Sequence, residues 1–207
     1  MRIPSIATAL LLATAAPVAA QNVVDQNQPN VIAGASFGFT HEFVAQTFRP
    51  GTGNVSGAGI RLSGAGIDAT TRISVALWNM NPSTVGATKL ASGTIDLTRL
   101  ARGSYDWADV FWAPVAVNPT LTYWLVYGGS NGALGWGYAA NTYARGTAWN
   151  GDVEETDPYA QFAAGDLAFR TWTDTSFGTV PEPSTYSLLA TGLAAIGVVT
   201  RRRRTMA

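Results

Sequence analysis

The sequence predicts an all-β fold, a jelly-roll-like β-sandwich, flanked by an N-terminal signal helix and a short C-terminal transmembrane helix. Three observations predict it. Apolar and polar residues alternate with period two in several runs between Phe43 and Trp172. Stretches rich in Gly, Asn, Pro and Ser separate those runs. Outside the two ends, no segment sustains a 3.6-residue apolar period over ten residues. The expected organisation is a secretory signal over 1–20, a β-sandwich domain over 21–176 and a tail over 177–207.

The first twenty residues, MRIPSIATALLLATAAPVAA, carry one positive charge, Arg2, ahead of an apolar run from Ile6 to Ala16. That run is short for a bilayer span. Pro17 interrupts it, and Val18, Ala19 and Ala20 present small side chains ahead of Gln21. Charge, apolar run and small residues in that order predict cleavage between Ala20 and Gln21. A buried N-terminal helix is the alternative, and it leaves the order unexplained.

The strands follow. FVAQTF (43–48), ISVALW (73–78), DVFWAPVAV (109–117), TYWLVY (122–127) and DLAFRTW (166–172) are rich in β-branched and aromatic residues. In ISVALW, Ile73, Val75 and Leu77 share one face. In DLAFRTW, Leu167 and Phe169 fall opposite Arg170 and Trp172. The segments RPGTGNVSGAG (49–59), NMNPSTVGA (79–87) and YGGSNGA (127–133) are expected to be connections. Arg49, Arg61, Arg72 and Arg170 stand beside strand-type residues, as outward charges that discourage edge-to-edge pairing.

Charge and composition exclude several functions. Of 13 basic and 13 acidic residues, five Arg and one Glu lie in the two ends, leaving 8 basic and 12 acidic residues between Gln21 and Val180. A domain of that balance, with one lysine and no basic stripe, is no nucleic-acid partner. The chain has no cysteine, which removes thiol catalysis, thiolate metal sites and disulfides. The single histidine, His41, precedes a strand, and no G-x-S-x-G elbow accompanies it. Carboxylates at Asp106, Asp109, Asp152, Glu154, Glu155 and Asp157 define no pair by spacing. The expectation is a protein that is not an enzyme and needs no cofactor.

Two segments of the middle suggest ligands. NGDVEETDP (150–158) brings together Asp152, Glu154, Glu155 and Asp157. These could offer oxygens to a structural Ca²⁺, but the spacing lacks the EF-hand pattern, and a solvated acidic loop is the competing reading. GWGYAANTYARGTAWNGD (135–152) interleaves Trp136, Tyr138, Tyr143 and Trp149 with amide, guanidinium and carboxylate groups. Such rings could stack on pyranose faces while polar neighbours bond the hydroxyls, or they could close the sandwich as packing.

The last segment is a different object. Val180-Pro181-Glu182-Pro183 precedes 17 uncharged residues, 184–200, and then Arg201, Arg202, Arg203 and Arg204. A helix of that length reaches ~25 Å, at the lower limit for a bilayer core of ~30 Å. The arginines would keep its end in the cytoplasm, leaving the domain outside. Pro181 and Pro183 make the preceding peptide stiff and extended.

These three elements, in this order, resemble the PEP-CTERM sorting signal. The resemblance implies an exosortase-like membrane enzyme as processing partner, and an inner-membrane intermediate ahead of the cell surface or the extracellular space. It also implies a setting of extracellular polysaccharide. An anchor that is never cut is the alternative. The middle, through QTFRPG (46–51), ISVALW, WAPVAVNPTLTYWLVY (112–127) and DLAFRTW, resembles the jelly-roll domains of bacterial surface proteins of the choice-of-anchor type. That second resemblance implies a fold and a surface setting without a reaction.

Overall fold

The structure is a computed structural model, and it describes residues 21–32, 37–38, 43–63, 72–95, 97, 105–130, 135–151, 154–162, 165–177 and 192. The signal segment through Ala20, His41, Asp152 and the sorting tail, Val180–Pro183 and Arg201–Arg204 included, lie outside the described residues. So do both expected flanking helices, Gly192 excepted. No helix among the described residues is long and apolar enough to cross a membrane.

All described strands fall in one compact unit, Ala20–Phe177. They are β1 (Asn22–Gln28), β2 (Phe37–Gly38), β3 (Phe43–Phe48), β4 (Asn54–Ser63), β5 (Arg72–Trp78), β6 (Lys89–Ile95) and β7 (Tyr105–Ala116). The second half supplies β8 (Tyr123–Ser130), β9 (Gly135–Trp136), β10 (Tyr138–Ala139), β11 (Ala148–Asn150), β12 (Ala160–Gln161), β13 (Asp166–Leu167) and β14 (Phe169–Asp174). Every pairing among them is antiparallel. The expectation of an all-β domain holds.

One sheet runs β1-β14-β4, with β7 along the opposite edge of β4. β9 continues beyond β14 on β4 and carries β2. The second sheet runs β12-β11-β3-β8-β5-β6, and β10 and β13 form a separate two-stranded ladder. Taking the eight longest strands in chain order, the first sheet reads 1-8-3-6 and the second 2-7-4-5.

The sheets meet through one buried cluster. Val55, Ala58, Ile60, Leu62, Val110 and Phe169 of the first sheet join Val44, Phe48, Ile73, Val75, Leu77, Leu125 and Tyr127 of the second. Each fully buried aliphatic or aromatic side chain stabilises the fold by about 1.5–3 kcal/mol relative to exposure. Ile73, Val75 and Leu77 share the core face, as alternation required.

Two expected connections are strands instead. The second half of 49–59 is β4, the central strand of the first sheet. Its glycines are required by what lies over them: a Cβ at Gly57 would stand 2.6 Å from the Val110 carbonyl oxygen, and one at Gly59 would overlap the Asp109 carboxylate. Likewise Tyr127–Ser130 completes β8, where a Cβ on Gly128 would overlap the Phe43 ring. Strands β1 and β6 lie in segments where no alternation marked them.

Candidate functional site

The aromatic segment 135–152 was the leading candidate for ligand contact, and the structure sends its rings to separate places. Trp136, on β9, is 2% exposed and belongs to the main core. Tyr138, on β10, meets Phe162 edge-on at 5.3 Å. Tyr143 meets Phe169 edge-on at 4.9 Å, and its hydroxyl donates to Gln26 Oε1 at 3.0 Å. Burial pushes the Tyr143 pKa up to about 12, against an opposing pull from the Arg145 charge. Arg145 itself donates to the Pro50 carbonyl at 2.9 Å. Trp149, on β11, lies 5.0 Å from Trp124 on the outer side of the second sheet. These four rings form no common platform.

Glu155 and Asp157 of the acidic segment are bonded within the protein. Glu155 accepts from Trp78 Nε1 at 2.7 Å and from Lys89 Nζ at 2.6 Å. Its carbonyl accepts from the Tyr159 hydroxyl at 2.9 Å. Asp157 accepts from the Glu154 N–H at 2.8 Å. Burial, and next the charges of Glu155 and Asp157, raise the Tyr159 pKa. No group of three or more His, Cys, Asp or Glu among the described residues could hold a metal ion.

Asp109 is paired as well. Arg170 donates to it through Nε at 2.7 Å and through Nη2, and Trp172 Nε1 adds a third bond at 3.0 Å. The Arg170 guanidinium lies 4.3 Å from the Trp107 ring and 4.8 Å from the Trp172 ring. Phe111, half exposed, stands 5.4 Å from Trp172. A ladder of rings and one guanidinium thus covers Gly57 and Gly59 on the first sheet. Arg170 does face outward as expected, but as part of this ladder.

One polar site escaped the sequence reading. Gln46 and Asp166 are both 0% exposed. Gln46 Nε2 donates to Asp166 Oδ1 at 3.2 Å, while Gln46 Oε1 accepts from the Leu167 N–H at 2.9 Å. Asp166 Oδ2 also accepts from the N–H groups of Thr142 and Tyr143, at 2.9 and 2.8 Å. The available signal was a glutamine inside FVAQTF and an aspartate opening DLAF, each polar where its neighbours are apolar. Asp166 thus accepts one bond from a side chain and two from backbone, and the network ties β3 to β13 and to residues 142–143.

The class of protein is therefore set by the tail and not by a pocket: a β-sandwich cargo joined to a terminal sorting segment. Residues 179–204 match the family model of the PEP-CTERM protein-sorting motif. The matched span includes the Pro-Glu-Pro peptide, the uncharged run and the arginines. The chain carries this motif, which marks a protein that an exosortase processes at the membrane and that is sorted to the cell surface. No curated protein matches the chain.

Proposed function

We propose that the sandwich is a non-catalytic cargo domain of the cell envelope or extracellular matrix, structural or adhesive in a setting of extracellular polysaccharide. The match of residues 179–204 to the sorting motif carries this reading. The tied carboxylates support the absence of catalysis: Asp109 is held by Arg170 and Trp172, and Glu155 by Trp78 and Lys89. The strand order 1-8-3-6 over 2-7-4-5 supports a jelly roll, since every successive pair of strands except 4 and 5 crosses from one sheet to the other. No cofactor is assigned.

In this reading the signal segment directs export and is removed after Ala20. The uncharged run 184–200 holds the chain in the inner membrane until the exosortase acts near Val180–Pro183. The intact mass and terminal peptides of the protein from its native cells test this. The expected product starts at Gln21 and ends near Pro181–Pro183, without Arg201–Arg204. A chain still ending at Ala207 would make the tail a permanent anchor and refute processing.

A further inference from the structure

We propose that the outer face of the second sheet carries a saccharide-binding trough at its Phe43 end. The proposal rests on the adhesive reading above and gives it a location. The register of four strands sets Phe43, Gly128, Ser74 and Thr94 side by side in one row across β3, β8, β5 and β6. They alternate with Val44, Ile73, Val75 and Tyr127, which face the core, so the row faces outward. In the next row along the strands, Ala45, Val126 and Ala76 are small or short, and Trp149 of β11 stands opposite Ala45 at its end. Beyond it the aromatic cover begins: Trp78 and Trp124, with Trp149 and Tyr159 packed on them.

Where that cover stops, a trough of about 480 Å³ opens, lined by Phe43, Arg72, Ser74, Thr94, Gly128 and Gly129. Its size falls within the ordinary range of ligand sites, roughly 300–1,000 Å³. Its chemistry selects the ligand class. Gly128 has no Cβ, and the Phe43 ring occupies the space a Cβ would take, so the ring lies down across β8 and stays partly exposed. That is a flat apolar surface at the level of the sheet. Around it stand the hydroxyls of Ser74 and Thr94, the Arg72 guanidinium and glycine backbone. Ser74 Oγ donates to the Gly128 carbonyl at 3.3 Å, which leaves its lone pairs to accept from a ligand. An apolar ligand would leave the Thr94 hydroxyl and the lone pairs of Ser74 that face the trough without a partner. A pyranose offers what the trough lacks: an apolar C–H face for the ring and a rim of hydroxyls for the polar groups.

The test is affinity electrophoresis of the full chain in mild detergent, through gels containing hydroxyethylcellulose, dextran or alginate. At least one gel should retard the wild type. Ser74→Tyr fills the trough from an exposed strand position, and it should weaken retention about tenfold while its melting curve stays unchanged. Phe43→Ala should also weaken retention, with a lower melting temperature because its ring packs over Gly128 and the neighbouring cluster, and Phe111→Ala on the opposite sheet should bind as the wild type does. If Ser74→Tyr is retained like the wild type, the trough is wrong and the adhesive surface lies elsewhere. If no gel retards the wild type, the adhesive reading itself falls and the trough falls with it.

Discussion

Replacing Asp166 tests whether the buried polar network holds the fold. The carboxylate is sealed from solvent, with one oxygen facing Gln46 Nε2 and the other facing two backbone N–H groups. Asp166→Asn can keep its carbonyl on Thr142 and Tyr143, but its NH₂ then faces the Gln46 NH₂, donor against donor. Gln46 cannot turn to repair this, because Oε1 already accepts from Leu167 and Nε2 donates to the Thr47 carbonyl at 3.1 Å. One buried bond is lost, at a cost of about 1–3 kcal/mol. Asp166→Ala strands both backbone donors as well, and the cost rises to about 3–5 kcal/mol, a large share of the ~5–15 kcal/mol typical of a domain. Urea unfolding followed by tryptophan fluorescence measures both variants. A cycle with Gln46→Ala should return a coupling of about 1–2 kcal/mol. Asp166→Asn within about 0.5 kcal/mol of the wild type, or strict additivity with Gln46→Ala, would refute the reasoning.

Further outcomes follow from local geometry. Gly146→Ala places a Cβ onto the Thr47 carbonyl oxygen, so the backbone of β3 must move and the bonds between Thr47 and Thr147 must give; a loss of about 2–4 kcal/mol is expected in the same urea assay. Gly53→Ala, whose Cβ would meet nothing within 4 Å, should stay within about 0.5 kcal/mol. Asp174 accepts from the Ser176 hydroxyl at 2.6 Å and its N–H at 2.8 Å, which lower its pKa, the hydroxyl bond first. Its contribution is therefore complete above the ordinary carboxylate value of ~3.9 and is lost as pH falls through the lowered folded value; melting temperatures from pH 5 to pH 2 should fall less steeply for Ser176→Ala than for the wild type. Arg170→Lys keeps a charge but loses the planar fork between two indoles, and should cost about 1–2 kcal/mol by thermal melting, whereas Lys89→Ala, at a more exposed pair, should cost no more than about 1 kcal/mol.

How far the sequence was legible depended on whether the deciding neighbour was local. ISVALW became β5 with Ile73, Val75 and Leu77 alternating onto the core, and FVAQTF, buried on both faces from Val44 to Phe48, became β3 on the strength of its β-branched and aromatic residues. NVSGAGIRLS became the central β4 although its glycines suggested a turn. Those glycines answer to Asp109 and Phe111, some fifty residues away, and no local pattern carries such a distance. β1, NVVDQNQ, is an edge strand with mostly exposed residues, so it had no apolar face to announce. The ring-rich segment 135–152 showed the composition of a stacking site but not its directions: Trp136 turns into the core and Trp149 onto Trp124. The sorting tail was legible because its information is linear, in motif, apolar run and charge, and the family match covers that span. The trough went unseen because its row comes from four strands whose register only the fold defines.

A domain delivered to the cell surface without a single cysteine must close its ends by other means, and the described contacts show how. The first strand and the last lie side by side, Asn22 opposite Asp174, and the Thr175 N–H donates to the Gln21 carbonyl at 3.2 Å. Asn54 then binds the same point twice, donating to the Asp174 carbonyl at 3.1 Å and accepting from the Asp174 N–H at 2.9 Å. β14 is thus bonded along both edges, to β1 and to β4, just before the chain passes into the tail. Any pull that the tail exerts on the domain enters through β14. To extract that strand, ladders on both sides must rupture together, and peeling an edge strand would require only one. An internal last strand suits a domain that carries its sorting motif at that end, and the buried amide clamps do there what a disulfide would do in a smaller exported domain.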